Sequence, residues 1–368
     1  MQPTGGGRYN AAMAERENSV LVAMSGGVDS SVAASLLLEE GYEVTGVFLC
    51  LGSAAGGGDE SSGCCTPADA ADARRVAQTL GIDLHVLNAG EPFERIIDYF
   101  AAEYARGRTP NPCVHCNAQI KFARLIRLAD SLGARHVATG HHARIVARDG
   151  QANIARGRDR PKDQSYALFG IARENLPRVL LPIGEIDRKA RVRQKARALG
   201  LNVHDKRDSQ EICFVGEGDY AAVLRARAPQ ALRAGPILDA AGAVLGRHDG
   251  FAQFTIGQRR GLKVAAGEPM YVSRIDARTA AVTIGPKEHV LGTHLSASGA
   301  NWHCDVPAEF DATVQVRYNH RGAPGRVRIT DGQAFEVTFA EPVEAITPGQ
   351  AAAVYDGQCL LGGGWIDS

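Results

Sequence analysis

Residues 19–30 read Ser19-Val20-Leu21-Val22-Ala23-Met24-Ser25-Gly26-Gly27-Val28-Asp29-Ser30. An apolar run passes through paired glycines into Val28–Glu40, which carries Val32, Leu36 and Leu37 at helical spacing and stops at Gly41. That pattern predicts strand, loop and helix in succession. Two glycines let the backbone turn sharply and come close to a ligand. The Ser25 and Ser30 hydroxyls and the helix's first N–H groups are then donors suited to phosphate oxygens. The chain has no Gly-Lys-Ser/Thr of a Walker loop, and this stretch is not Gly-x-Gly-x-x-Gly. The alternative is a plain tight turn with Asp29 capping the helix.

Outward from this stretch, Glu43–Leu49 reads as a second strand, Asp69–Leu80 as a helix closed by Gly81, and Ile82–Leu87 as a third strand. Alternation of this kind up to about residue 215 predicts an α/β fold, a parallel sheet with helices on both faces. The last third differs. Thr313–Tyr318, Arg326–Ile329 and Phe335–Phe339 alternate apolar with polar, and Asp331-Gly332 and Asp356-Gly357 are hairpin signals. The expected organisation is a loose glycine-rich tail over 1–18, with Met13 as an alternative start, and an αβ catalytic domain over 19–218. A small mixed central domain follows over 219–290, then an antiparallel β-barrel or sandwich over 291–368.

The 368 residues balance 41 Lys+Arg against 41 Asp+Glu, with 45% hydrophobic and 22% charged content. This excludes a disordered or fibrous chain and a globally basic nucleic-acid binder. No apolar run approaches the roughly 18–20 residues of a membrane span. Eight cysteines without a basic-then-apolar leader point to a reducing, cytoplasmic setting, where thiols do chemistry or bind metal.

Two places carry such thiols. Thr109-Pro110-Asn111-Pro112-Cys113-Val114-His115-Cys116-Asn117 leads into a helix with Phe122, Leu125, Ala129 and Leu132 on one stripe and Gly133 at its end. Asn111 as N-cap with Pro112 at the first helical position would put Cys113 and Cys116 on one face of the opening turns. A helix N-terminus favours thiolate. Cys213 lies in Asp208–Phe214. Catalytic sulfur, inert burial, or a zinc site shared with Cys64 and Cys65 are the readings open to these residues; Cys50, Cys304 and Cys359 read as structural.

The loop Ser25–Ser30 resembles the pyrophosphatase-loop signature of enzymes that split ATP into AMP and pyrophosphate. Together with Thr109–Pro112, Cys116-Asn117, Ala138-Thr139-Gly140-His141, Lys162-Asp163-Gln164-Ser165-Tyr166, Gly257-Gln258-Arg259 and Thr347-Pro348-Gly349-Gln350, it resembles the bacterial tRNA-specific 2-thiouridylase (MnmA) family from about residue 19 onward. The resemblance implies a Rossmann-like ATP-binding domain and sulfur placed at C2 of wobble uridine 34 in tRNA for Lys, Glu and Gln, with ATP and Mg²⁺. It implies ATP contacts at Ala23, Met24, Ser25, Gly26, Gly27, Val28, Asp29, Ser30, Leu49 and Gly140. Asn111, Pro112 and Cys113 would lie beside the target base. His141, Lys162, Asp163, Gln164, Arg317, Tyr318 and Gln350 would touch tRNA. Cys213 would take a persulfide from a relay donor such as a cysteine desulfurase, and Cys116 would complete transfer, leaving a Cys116–Cys213 disulfide to be reduced.

Many relatives carry Asp where this chain has Cys113. Two accounts compete: a substitution that leaves the persulfide route intact, or a [4Fe–4S] cluster held by Cys113, Cys116 and Cys213. The runs Arg156–Lys162 and Arg188–Arg197 are locally basic and read as solvated faces or an RNA patch. Other classes are an amide-forming synthetase on the same loop, separated by sulfur incorporation, and a nucleotide-binding or metal-storage module without turnover.

Overall fold

A computed structural model describes residues 16–51, 66–208, 212–215, 219–264 and 267–368. Most of the expected tail, the Gly52–Gly63 stretch, Cys64 and Cys65 fall outside the described residues.

The first strand, β1 (Arg16–Ala23), feeds α1 (Val28–Glu39) and β2 (Glu43–Cys50). Then come α2 (Pro67–Leu80), β3 (Leu84–Asn88), α3 (Gly90–Ala105), the short α4 (Pro112–His115), a π-helical segment Cys116–Phe122, α5 (Ala123–Leu132) and β4 (Ala134–Ala138). After the hairpin β5 (Ala143–Arg148) and β6 (Gln151–Arg156), the two-residue β7 (Val179–Leu180) completes a parallel sheet ordered β3-β2-β1-β4-β7. Alternation along β1 explains the layering. Val20 and Val22 pack with α1, α2 and α6 (Lys189–Ala198), while Leu21 packs with α5 on the other face. The parallel-sheet expectation is met. Leu132 leaves the predicted stripe, 50% exposed, because it sits beside the left-handed cap Gly133 where α5 ends.

The least readable stretch, 219–290, forms α7 (Tyr220–Arg227) and a mixed sheet ordered β10-β11-β8-β9. Its strands are β8 (Gly235–Leu238), β9 (Val244–His248), β10 (Tyr271–Asp276) and β11 (Ala281–Gly285). Beyond it, β12 (Leu291–Trp302), β13 (Glu309–Gln315), β14 (Ala323–Asp331), β15 (Ala334–Glu344), β16 (Ala351–Asp356) and β17 (Cys359–Ile366) run antiparallel. Strand β12 pairs with both β15 and β17, closing a barrel rather than a sandwich. The β5–β6 hairpin joins its wall through Cys359 of β17 and Ala155. Strand β13 ends at Gln315, so Arg317 and Tyr318, which the alternating run Thr313–Tyr318 places in the strand, stand instead in the bend and turn beyond its end.

Candidate active site

The sheet order places the carboxyl ends of β1 and β4 side by side where the chain changes direction, the usual crevice for a ligand in such folds. The 24–27 loop leaves β1 there. Gly27 caps α1 without a side-chain bond, and Ser30 Oγ donates to Gly27 O (3.2 Å) and accepts from Ser25 N (3.2 Å). The opening N–H groups of α1 thus keep to the loop's mouth, where an anion is favoured. Gly26 has φ +72 and lies against the Asp69 carbonyl. Gly140 is required by space: a Cβ there would stand 2.5 Å from Ser30 N and 2.7 Å from the Asp29 carbonyl carbon. Met24 and Val28 are buried beneath, and Leu49 packs at the end of β2.

Asp29 does not cap α1. Its carboxylate accepts from His142 Nε2 (3.2 Å) and pairs with Lys189. Burial alone would raise its pKa, but the His142 hydrogen bond and the Lys189 charge outweigh it and hold the group below its ordinary value. Asp208 takes Arg193 at 2.7 Å, Lys162 at 2.8 Å and Lys189 at 3.1 Å. Burial again opposes, yet the Lys162 and Lys189 hydrogen bonds bring this carboxyl down to about 2. Lys206 Nζ donates to Gly26 O (2.9 Å), Asp69 (2.6 Å) and Asp72 (2.7 Å), fastening the loop from behind.

The two basic runs are largely neutralised. Arg191 pairs with Asp187, Lys195 with Glu39, Arg197 with Asp205, Arg156 with Asp163 and Arg158 with Glu185. All five of these carboxylates lie outside the runs themselves, which is why the runs read as net basic in sequence.

A second group of residues gathers around α4. Thr109 N donates to Pro348 O (2.9 Å), and Gln350 Nε2 donates to Thr109 O (2.9 Å) and Pro110 O (3.3 Å), so the barrel holds the approach to α4. Asn111 takes the N-cap position without a side-chain capping bond, its amide lying near the Tyr166 hydroxyl, which donates to Ala351 O (2.9 Å). Pro112 is buried and Cys113 exposed. The exposed ring of Tyr318 lies edge-on to Tyr166 at 6.4 Å, with Lys162, Asp163 and Cys113 near enough to act on its charge. Arg317 approaches Gly257, and Gln315 Nε2 donates to the carbonyls of Arg317 (3.2 Å) and Tyr318 (2.9 Å). Asp163 and Gln164 are engaged inside: Asp163 accepts from Gly157 N and pairs with Arg156, and Gln164 Oε1 accepts from His142 N.

Three residues of helix advance the side chain by about 300°, which leaves Cys113 and Cys116 only about 60° apart, yet they differ in burial: Cys113 is exposed, and Cys116 is buried where the wider π turn begins. Cys116 and the half-buried Cys213 pack into one apolar cluster with Phe93, Phe100 and Phe214. Among the described residues no three His, Cys, Asp or Glu side chains come together to hold a metal ion, so Cys113, Cys116 and Cys213 do not fit the cluster that competed with the persulfide route. His141 bonds Thr139 Oγ1 through Nδ1 (2.7 Å), and burial, then Lys121, pushes its pKa down to about 3. His115 stacks on Trp365 of the barrel at 4.0 Å and meets Tyr99 edge-on at 4.2 Å; burial pushes it down to about 4.

His142, Lys189, Lys206, Asp208 and Tyr166 escaped prediction as site residues. Their only sequence signal is membership of, or nearness to, a motif or a basic run: Tyr166, Lys189 and Asp208 lie in such stretches, and His142 and Lys206 lie beside them.

Residues 18–217 match a family described as tRNA methyl transferase HUP domain, 222–286 its PRC-barrel domain, and 292–366 an aminomethyltransferase beta-barrel domain. The tRNA-specific 2-thiouridylase MnmA of Carboxydothermus hydrogenoformans is 48% identical over 355 residues, 95% of this chain and 97% of that protein. The enzyme of the same name from Rhodopirellula baltica is 46% identical over 382 residues, 94% and 96% of the two chains. A solved 4-thiouridine synthetase–RNA complex with bound ATP is 18% identical over 53% of this chain and 44% of its own, at a TM-score of 0.36, too distant to carry an argument. Nearly full-length identity to these relatives, with family matches along the whole chain, decides the kinship: the chain belongs to the tRNA-specific 2-thiouridylase family.

Proposed function

We propose that the chain thiolates C2 of wobble uridine 34 in the tRNAs for Lys, Glu and Gln, in the cytoplasm, splitting ATP to AMP and pyrophosphate. One observation carries the reading. Motifs far apart in sequence meet in pairs: Ser25–Ser30 with Gly140, Thr109-Pro110 with Pro348 and Gln350, and Gly257 with Arg317.

The uridine C2 oxygen attacks the α-phosphorus, expelling pyrophosphate from the loop and turning a poor leaving oxygen into AMP; Mg²⁺ accompanies the triphosphate as substrate. Cys213 carries a persulfide received from a relay donor. The Cys116 thiolate attacks the Cys213 sulfur, forming a Cys116–Cys213 disulfide and releasing hydrosulfide, which displaces AMP at C2. Two electrons from a thiol reductant then restore both thiols. The shared apolar cluster of Cys116 and the half-buried Cys213 supports this route. Around the base, Asn111, Pro112 and Cys113 form the floor, Tyr318 offers a stacking ring, and Arg317, Lys162, His141 and Gln350 lie where RNA would pass. Asp163 and Gln164 serve by holding that surface in place.

The test mixes purified protein with tRNA, ATP and a ³⁵S-labelled persulfide donor, following label in tRNA and released pyrophosphate. Label in tRNA, with pyrophosphate formed only when tRNA is present, is the expected result. Pyrophosphate without label would favour an amide-forming relative. About four irons and four sulfides per chain, in protein purified without oxygen, would replace the persulfide route with the cluster.

A further inference from the structure

We propose that Asp208 is a positioning residue that makes the nucleotide and the RNA compete through one carboxylate; this rests on the function proposed above. Asp208 is the junction of a chain of charges running from the loop to the α4 surface. At one end Lys189 joins it (3.1 Å) to Asp29, which sits in the first turn of α1 directly behind the phosphate loop. At the other end Lys162 joins it (2.8 Å) to the surface beside Tyr318. Lys189 is only 12% exposed, whereas Lys162 is 38% exposed and within reach of a polyanion. The third cation, Arg193, is fixed elsewhere as well, donating to His204 O (2.9 Å) and Lys206 O (2.7 Å). The two lysines are therefore the adjustable members.

A triphosphate on the loop draws Lys189 towards itself. Asp208 then keeps fewer cations and holds Lys162 more tightly, so an RNA phosphate gains less from Lys162. The converse follows by linkage: RNA bound through Lys162 tightens Asp208 on Lys189 and weakens the nucleotide by the same factor. Departure of pyrophosphate returns Lys189 to Asp208 and releases Lys162 to the RNA. The adenylated tRNA is thus gripped more firmly than the tRNA that first meets ATP.

The experiment titrates full-length protein with α,β-methylene ATP, whose α–β link cannot be cleaved, with and without a saturating unmodified tRNA-Glu transcript, and then reverses the order. In the wild type each ligand should raise the Kd of the other about fivefold, the low end of ordinary coupling between sites. Asp208→Asn should bring that ratio below twofold while each ligand alone still binds, and Asp208→Glu should restore most of it. If Asp208→Asn does not fold by circular dichroism, Lys162→Gln breaks the same bridge from its exposed end and should flatten the ratio likewise. A wild-type ratio of one, or an unchanged ratio in the folded variant, overturns the coupling. Failure of the wild type to bind tRNA at all would sink the proposed function, and the coupling with it.

Discussion

Replacing Gly140 by alanine adds one methyl group at the point where β4's exit meets the start of α1. Gly140 is not among the left-handed glycines, so alanine suits its backbone and space alone decides the outcome. The new Cβ would lie 2.5 Å from Ser30 N and 2.9 Å from Ser30 Cα, both backbone atoms that no rotamer change can move. Ordinary contact begins near 3.4 Å, so α1's first turn must retreat by about 0.9 Å. Overpacking of this kind costs about 2 kcal/mol of stability. Displacing positioning groups by about 1 Å can cost 10²-fold in rate. Gly140→Ala should lower ATP affinity at least tenfold, measured by isothermal titration, and reduce tRNA-dependent pyrophosphate release by about 10²-fold, with a Tm lower by several degrees. Gly332→Ala is the control: its backbone is also ordinary, nothing lies within 4 Å of the added carbon, and it should bind ATP as the wild type does. Wild-type ATP affinity in Gly140→Ala would refute the claim that space against the first turn of α1 requires glycine there.

Cys116→Ser should abolish ³⁵S transfer while leaving tRNA affinity near normal; retained transfer removes Cys116 from the mechanism. Arg317→Ala should weaken tRNA binding severalfold and flatten its salt dependence by about one counterion without changing ATP affinity. An unaltered salt slope would deny Arg317 a phosphate contact. Stability should fall steadily as pH drops from 7 to 4. His115, His141 and His303 sit at about 4, about 3 and about 4 against an ordinary 6.5, so the unfolded chain takes protons first and gains on the native state as pH falls below 6.5. The Asp208 carboxyl, at about 2 against 3.8, has the same sign but a lower window: its contribution is complete above pH 4 and lost as pH falls towards 2. A Tm that is flat between pH 7 and 4 would contradict buried neutral imidazoles.

The alternation that fixes the parallel sheet is local, written in runs such as Val20–Val22 and in stops such as Gly81, so it reads directly from the chain. The phosphate loop reads for the same reason: its chemistry lies in six consecutive residues. What does not read is convergence. Asp29 looks like a helix cap until His142 and Lys189 arrive from elsewhere to claim its carboxylate. Asp163, which the family resemblance implies touches RNA, answers to Arg156 and to backbone amides beside it. Cys113 and Cys116 differ in burial because distant Phe100 and Phe214 join the second in one apolar cluster, which spacing alone cannot supply. Likewise, nothing local shows that Arg317 and Tyr318 lie past the end of β13, although their alternation continues it.

The hairpin β5–β6 has a bearing on how the chain is made. It lies within the first half of the sequence, yet its outer neighbour is β17, at the far end: Arg156 N bonds Gln358 O (2.9 Å), and Arg156 lays its guanidinium over the Tyr355 ring at 3.5 Å. A ribosome delivers residue 156 some two hundred residues before its partner. At roughly 5–20 residues per second, that hairpin waits on the order of 10–40 s with an open edge. An unpaired edge is the part of a nascent sheet most ready to join the wrong strand. The hairpin cannot complete its sheet ahead of the barrel, and a stop codon anywhere between it and β17 would leave the outer edge of β6 unpaired. Products truncated after β6 and before β17 should therefore aggregate.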